Sequence, residues 1–300
     1  MANKHKEGAN LTNNYLKSME IDHLYHLGLI KNGDNLEKAF GDVKFICTGG
    51  AAHRMALYAS MMKTMLNIPG DLVDLSADGH RFSMYKVGPV LFVNHGMGIP
   101  SLSILLHELF KLVTYAKCKD VVFFRLGTCG GLGKAPGTVI VSKGCVDNQC
   151  RPLFQTVKLG KVINMEVNLD KQLVENLINF ASACYPNIPI ESGITMATDD
   201  FYEGQARCDG AFCDYTKEEA AIYLQSIANQ GVTNIEMEAT CFAAMCTKAQ
   251  IKCAIVNVIL VNRLEGDQVD VDKDTYKNFQ IRPFTVISNY IKSVINSSCC

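Results

Sequence analysis

The sequence has no excess of either charge: 29 Lys and Arg stand against 30 Asp and Glu, a formal net charge of −1. A broad binder of phosphate backbones needs a large basic surplus, so no nucleic-acid partner is expected. A small local basic pocket is not excluded. The sequence also lacks any run approaching the roughly 20 apolar residues that cross a bilayer, so no spanning helix and no membrane partner is expected. Residues 1–10 (MANKHKEGAN) have no apolar core, so a secretory signal is not expected and the expected location is cytoplasmic.

Cysteines are many, but their number, 13, is odd and they are scattered. The spacings Cys145-x4-Cys150, Cys208-x4-Cys213 and Cys241-x4-Cys246 lack the C-x2-C pairs of a zinc site, and no metal is expected. In a non-secreted chain these thiols read as reduced, mostly buried small hydrophobes. Three familiar signatures are missing as well. Lys134 is followed by Ala135, so there is no Walker loop. No strand leads into G-x-G-x-x-G, and no G-x-S-x-G elbow occurs. No linker, repeat or low-complexity tract is visible.

What is present is an ordinary globular composition, 48% hydrophobic and 20% charged over 300 residues. At roughly 150 residues per domain the length suits one large or two ordinary domains, and one is the expectation. A helical pattern is expected over 11–27, then strands and helices alternate. Strands are expected at 43–47, 82–87, 90–94, 121–124, 138–142, 188–196 and 252–261, and helices at 51–66, 101–117, 173–184, 216–230, 238–249 and 275–294. A Gly-rich loop is expected over 127–137, and an irregular Asp- and Gly-rich segment over 197–215. Such alternation predicts an α/β fold, a single domain with a central mixed β-sheet flanked by helices.

In open α/β folds ligands bind beyond the carboxyl ends of strands, so a site is expected at those ends. Gly49-Gly50 with Arg54 follows one strand, and Arg125 with Gly127-Thr128-Cys129-Gly130-Gly131 follows another. Glycine lets backbone N–H groups approach an anion, and arginine offers paired donors to a phosphate. Each piece alone also fits an ordinary turn with a surface arginine, but two together point to an anion site. By spacing alone, Glu236 and Glu238 complement a helix dipole, and Gln205-x-Arg207 fits a solvated loop. Asp199-Asp200 reads as loop capping. His23 and His26, three apart, share a face if helical, but no third metal ligand is evident. Met55, Met61, Met62 and Met65 read as helix-core residues.

Longer motifs carry more information. They are Gly41-Asp42-Val43-Lys44-Phe45, Met84-Tyr85-Lys86-Val87-Gly88-Pro89-Val90, His95-Gly96-Met97-Gly98-Ile99-Pro100-Ser101, Asn262-Arg263-Leu264-Glu265-Gly266-Asp267-Gln268 and Asp200-Phe201-Tyr202-Glu203-Gly204-Gln205-x-Arg207-x-Asp209-Gly210. On these motifs the chain resembles the animal uridine phosphorylases of the nucleoside phosphorylase family, from about Asp22 to Tyr290. The resemblance implies a polar extension at 1–20, a nucleoside phosphorylase domain at 21–296 and a tail at 297–300 ending in Cys299-Cys300.

The implied reaction is reversible phosphorolysis of uridine to uracil and ribose 1-phosphate, with inorganic phosphate as co-substrate and no cofactor. The resemblance assigns Gly50, Arg54, Arg125 and Thr128 to phosphate, with Arg81 lent by a neighbouring subunit. It assigns Glu236, Met237 and Glu238 to the ribose, with His26 of a neighbour near the 5′-hydroxyl. Phe201, Gln205 and Arg207 take uracil, and Arg263 falls at the base end. The lent residues imply a homodimer with shared active sites. Rival readings are a purine or methylthioadenosine phosphorylase, a nucleosidase that uses water, and a catalytically silent nucleoside-binding protein. Purine enzymes of this family use an Asp on the late strand where this chain has Asn262-Arg263-Leu264.

Overall fold

A computed structural model describes residues 6–297. Of the expected tail at 297–300, Ser297 ends the last helix, while residues 298–300 with Cys299-Cys300, and the first five residues of the expected extension, lie outside that range. The chain divides into two compact units, residues 6–125 with 245–253, and residues 126–244 with 254–297.

The first unit opens with α1 (Tyr15–Ser18), the hairpin β1 (Asp22–Leu24) and β2 (Leu29–Lys31), and α2 (Leu36–Phe40). Of the helical pattern expected over 11–27, only Tyr15–Ser18 is helix. Asp22 and Leu24 are buried while His23 and Tyr25 are exposed, the period-two pattern of a strand rather than of a helix. His23 and His26 consequently share no helix face. Next come β3 (Phe45–Gly49), α3 (Ala52–Met65), β4 (Met84–Val87), β5 (Val90–Asn94) and α4 (Ile99–Tyr115), and then β6 (Val122–Gly131), whose first residues belong to this unit.

Strand order here is β6-β3-β5-β4, with β3 parallel and β4 antiparallel to β5. Every residue of β3 and β5 is buried, as their continuous apolar runs require. Of the four helix methionines, Met55 and Met62 are fully buried and Met61 and Met65 half-buried. Helix α4 buries Leu102, Leu105, Leu106, Leu109 and Val113 at helical spacing, each leucine contributing about 1.5–3 kcal/mol of transfer free energy.

In the second unit β6 continues, followed by β7 (Val139–Val146), β8 (Leu153–Lys158), β9 (Lys161–Glu166), α5 (Lys171–Cys184), β10 (Ile190–Ala197), α6 (Lys217–Asn229), β11 (Val232–Glu236), α7 (Ala239–Ala249), β12 (Lys252–Asn262) and α8 (Lys273–Ser297), the end of α7 and the start of β12 belonging to the first unit. Strand order is β11-β10-β7-β12-β6. Strands β7, β10 and β11 are parallel, and β12 runs antiparallel to β7, so the sheet is mixed. Helix α5 is capped by Asp170, and α6 carries a full capping box between Thr216 and Glu219.

Two features depart from expectation. The glycines at 127–131 form the second half of β6 rather than a loop. A Cβ at Gly131 would lie 2.7 Å from the Ile259 side chain, so glycine there permits close strand packing instead of a turn. The β8–β9 hairpin was not expected. Its turn places Leu159 and Gly160 at positive φ, +49° and +74°, and its strand faces are mostly exposed.

Candidate functional site

In the first unit the parallel strands β3 and β5 end side by side, and His95 N donates to the Gly49 carbonyl at 2.8 Å. The chain then enters α3 through Gly50 and Ala51, with no side chain capping the helix. Free N–H groups at such an end attract anions. Arg54 sits in the first turn. A Cβ at Gly50 would lie 3.5 Å from Arg54 Nη2 and 3.1 Å from the Gly96 carbonyl, so glycine leaves room between guanidinium and backbone. Arg54 Nε is buried with no protein acceptor. Arg125 is 3% exposed on β6, an ion that would not be buried without a use for its charge. Arg81 is exposed on the loop before β4. Gly50, the uncapped start of α3 and Arg54 together suit an oxyanion.

His26 follows β1 in a turn and is half-buried. Its Nδ1 lies 2.6 Å from Glu108 Oε1 on α4, and the backbone N–H groups of His26 and Leu27 donate to the same carboxylate at 3.0–3.1 Å. A carboxylate on Nδ1 favours the tautomer with the N–H there, leaving Nε2 as a hydrogen-bond acceptor. Glu108 was missed in the sequence. Its signal was an acid buried on the apolar face of α4.

In the second unit β10 and β11 are parallel and pair Ala197 with Glu236, so their ends coincide. Glu236 and Glu238 are buried. The Glu236 carboxylate accepts from Glu238 N at 3.1 Å and from Ala239 N at 2.7 Å, at the start of α7. Met237 between them is half-buried. Thr128, half-buried on β6, belongs to the same unit.

The irregular segment after β10 is ordered by side chains. Asp200 accepts from Gly204 N at 2.7 Å, the loop cap expected of it. Gln205 ends a short 3-10 turn, Glu203–Gln205, and is 3% exposed. Arg207 is 6% exposed and stacks 4.1 Å over the half-open Phe201 ring. It donates through Nη1 to the Asp267 carbonyl at 2.8 Å. Tyr215, whose phenol burial pushes up to about 12, donates to the Arg207 carbonyl at 2.7 Å. Gln205-x-Arg207 is thus no solvated loop.

Arg263, 2% exposed, reaches into the same cluster. Its Nη2 donates to the Gln205 carbonyl at 2.9 Å, and its Nε to Asp267 Oδ1 at 3.0 Å. Gly130 makes this possible, because a Cβ there would lie 2.6 Å from Arg263 Cγ. Burial, and next the like charge of Arg263, press the Arg207 guanidinium below its usual value, while Asp209 and Asp267 oppose this. Arg207 Nε and Arg263 Nη1 remain buried without a protein acceptor. Two adjacent cations with spare donors are built to meet electron-rich oxygens. Among the described residues no group of three or more His, Cys, Asp or Glu could hold a metal ion.

The family model of the phosphorylase superfamily matches residues 44–292, across both compact units. The chain belongs to that superfamily. Uridine phosphorylase 2 of Mus musculus is 46% identical over 290 residues, 96% of this chain and 90% of the relative. One of the uridine phosphorylase structures from the oomycete Phytophthora capsici matches with a TM-score of 0.94 at 39% identity, covering 97% of this chain and all 100% of that one. An inactive uridine phosphorylase B of Schistosoma mansoni is 35% identical over 282 residues, 94% of this chain and 95% of the relative. The superfamily domain is an α/β domain with a mixed sheet and flanking helices, the fold class that the alternation of elements predicted. Among the described residues no helix is long and apolar enough to cross a membrane.

Proposed function

We propose that this superfamily member catalyses reversible phosphorolysis of uridine, with inorganic phosphate as co-substrate and without a resident metal or cofactor. The observation that carries the reading is the sealed donor cluster of Gln205, Arg207 and Arg263, with buried N–H groups left without protein acceptors. A pyrimidine dione leaves with its electron pair on N1, spread to O2 and O4. A glutamine amide donates to O2 while accepting from N3–H, and a guanidinium donates to O4. Stabilising that anion with fixed donors replaces a general acid. Cytosine lacks N3–H and carries an amino group at position 4, so both contacts mismatch.

Gly50, Arg54, Arg125 and Thr128 hold phosphate in this reading, and Arg81 completes the set from a second copy. The bound dianion steadies the cationic ribose that develops as the C1′–N1 bond breaks. Glu238 takes the 2′- and 3′-hydroxyls, with Met237 beside the ring. Glu236, engaged with backbone N–H groups, orients that turn. His26, also from the second copy, meets the 5′-hydroxyl through Nε2. The protein is a cytoplasmic homodimer in this reading, its many thiols suiting a reducing compartment.

An inactive relative shows that kinship alone does not guarantee turnover, so the test is direct. Loss of uridine absorbance is followed with and without phosphate, for the native chain and for Gln205→Leu. Phosphate-dependent turnover is expected, with kcat falling roughly 100-fold or more in the variant. Turnover independent of phosphate would indicate a nucleosidase, uridine binding without turnover a silent binder, and an unaffected variant a different base-reading site.

A further inference from the structure

Asp267 receives no role from sequence spacing, yet the donor cluster converges on it. Its Oδ1 accepts from Arg263 Nε at 3.0 Å and lies 2.9 Å from Arg263 Nη2. Its Oδ2 accepts from Cys208 N at 2.9 Å, and its carbonyl takes Arg207 Nη1 at 2.8 Å. One residue therefore touches both guanidiniums and the backbone beside one of them. The nearby Asp209 is a looser partner, 3.7 Å from Arg207 Nη1, and is itself held by the Gln268 amide.

Two guanidiniums buried side by side repel each other, and each would gain solvation by swinging outward. A carboxylate at this one point opposes the swing. Its carboxylate accepts from Arg263 Nε and pairs with Nη2, while its backbone occupies Arg207 Nη1, and Arg207 Nε and Arg263 Nη1 stay without protein acceptors.

We propose that Asp267 is the positioning residue of the base-reading site, fixing Arg207 and Arg263 so that their spare donors meet the negative charge of the departing pyrimidine. The inference rests on the phosphorolysis reading and adds to it a group that touches no substrate. Asparagine is nearly isosteric but fails here. Cys208 N and the Arg263 fork both donate, so an amide NH2 would face a donor whichever way it turned. The guanidiniums then lose their fixed geometry, and the loss of stabilisation is larger in the transition state, where the pyrimidine carries negative charge, than in the ground state.

Leaving-group dependence separates positioning from simple structural support. Fluorine withdraws electrons, so 5-fluorouracil departs more readily than uracil and relies less on the donors. Steady-state phosphorolysis of uridine and 5-fluorouridine is measured for the native chain, Asp267→Asn and Asp267→Glu, with a thermal melt of each. For Asp267→Asn, kcat/KM with uridine is expected to fall roughly 100-fold, mainly in kcat, since a misplacement of about 1 Å has that size of effect. The loss with 5-fluorouridine should be clearly smaller. Asp267→Glu keeps the charge but moves the oxygens, and should show the same ordering. It decides the matter if the asparagine variant does not fold. Equal losses on both substrates, or none, would overturn the proposal while leaving phosphorolysis intact. A native chain without phosphate-dependent turnover would instead sink the functional reading and this inference with it.

Discussion

Glu108 shows how one side chain can serve a site from a distance. It is a 6% exposed carboxylate on a leucine-rich helix face, and it accepts from two backbone N–H groups and the His26 ring. Hydrogen bonds to a charged group contribute about 1.5–3 kcal/mol. In Glu108→Gln one half of the amide would meet those donors with an NH2, so the His26 turn loosens. With uridine, kcat/KM is expected to fall on the order of tenfold. With 5′-deoxyuridine, which offers no 5′-hydroxyl, the loss should be small. Equal losses on the two substrates would show that His26 does not read that hydroxyl. Ala206 is the other telling residue. It sits between Gln205 and Arg207 at φ +53°, a left-handed conformation that costs a non-glycine residue about 1–2 kcal/mol. Strain held beside the donor pair fits a backbone shaped for its task rather than for stability.

At the scale of elements, Asp22 fastens β1 to α4. Its carboxylate lies 2.7 Å from Lys111 Nζ and accepts from Tyr115 Oη at 2.7 Å. Burial alone would raise its pKa, but the hydrogen bonds from Lys111 and Tyr115 outweigh it and hold the carboxyl below the usual range. A folded-state value below the unfolded one gives stability that is complete above about pH 4 and is lost as pH falls through the folded value. Asp22→Asn should therefore destabilise the protein by about 1.5–3 kcal/mol at pH 7. The difference from the native chain should shrink toward pH 3. Thermal melts across that range check it, and a constant gap at every pH would contradict the assignment.

The same elements show what the sequence made legible. Continuous apolar runs announced β3, β5 and β6, and helical spacing announced α3 and α4, because burial on both faces or on one leaves a periodic trace. The N-terminal hairpin was misread as a helix because its strands are three residues each, too short for a period of two to stand out. Arg54 and Arg125 were found from their glycines. Gly130 and Gly131 were found for the wrong reason, since their lack of a side chain admits Arg263 and Ile259 rather than a turn. Glu108 showed only as an acid on an apolar helix face, and Asp267 only as an acid four residues after Arg263, because the partners that create their roles, His26 for one and Arg207 with Cys208 for the other, lie about 82 and 60 residues away.

At the scale of the whole molecule, the open question is how many chains make one site. Arg81 is exposed and His26 only half-buried. In the proposed dimer both serve a neighbouring copy, whereas Gln205 serves its own. That difference predicts complementation. Arg81→Ala and Gln205→Leu homodimers should each be nearly inactive, since every site lacks one group. In a mixed dimer, the Arg81→Ala chain keeps its own Gln205 and receives an intact Arg81, while the other site carries both defects. One site in two is then whole. Random exchange makes half of the dimers mixed, so activity should recover to about a quarter of the native level under two-fold symmetry. The variants are mixed under conditions that let subunits exchange, and phosphorolysis is followed over time. Failure to recover, with exchange verified by a mass-tagged copy, would mean that each chain completes its site alone and that Arg81 acts within its own subunit.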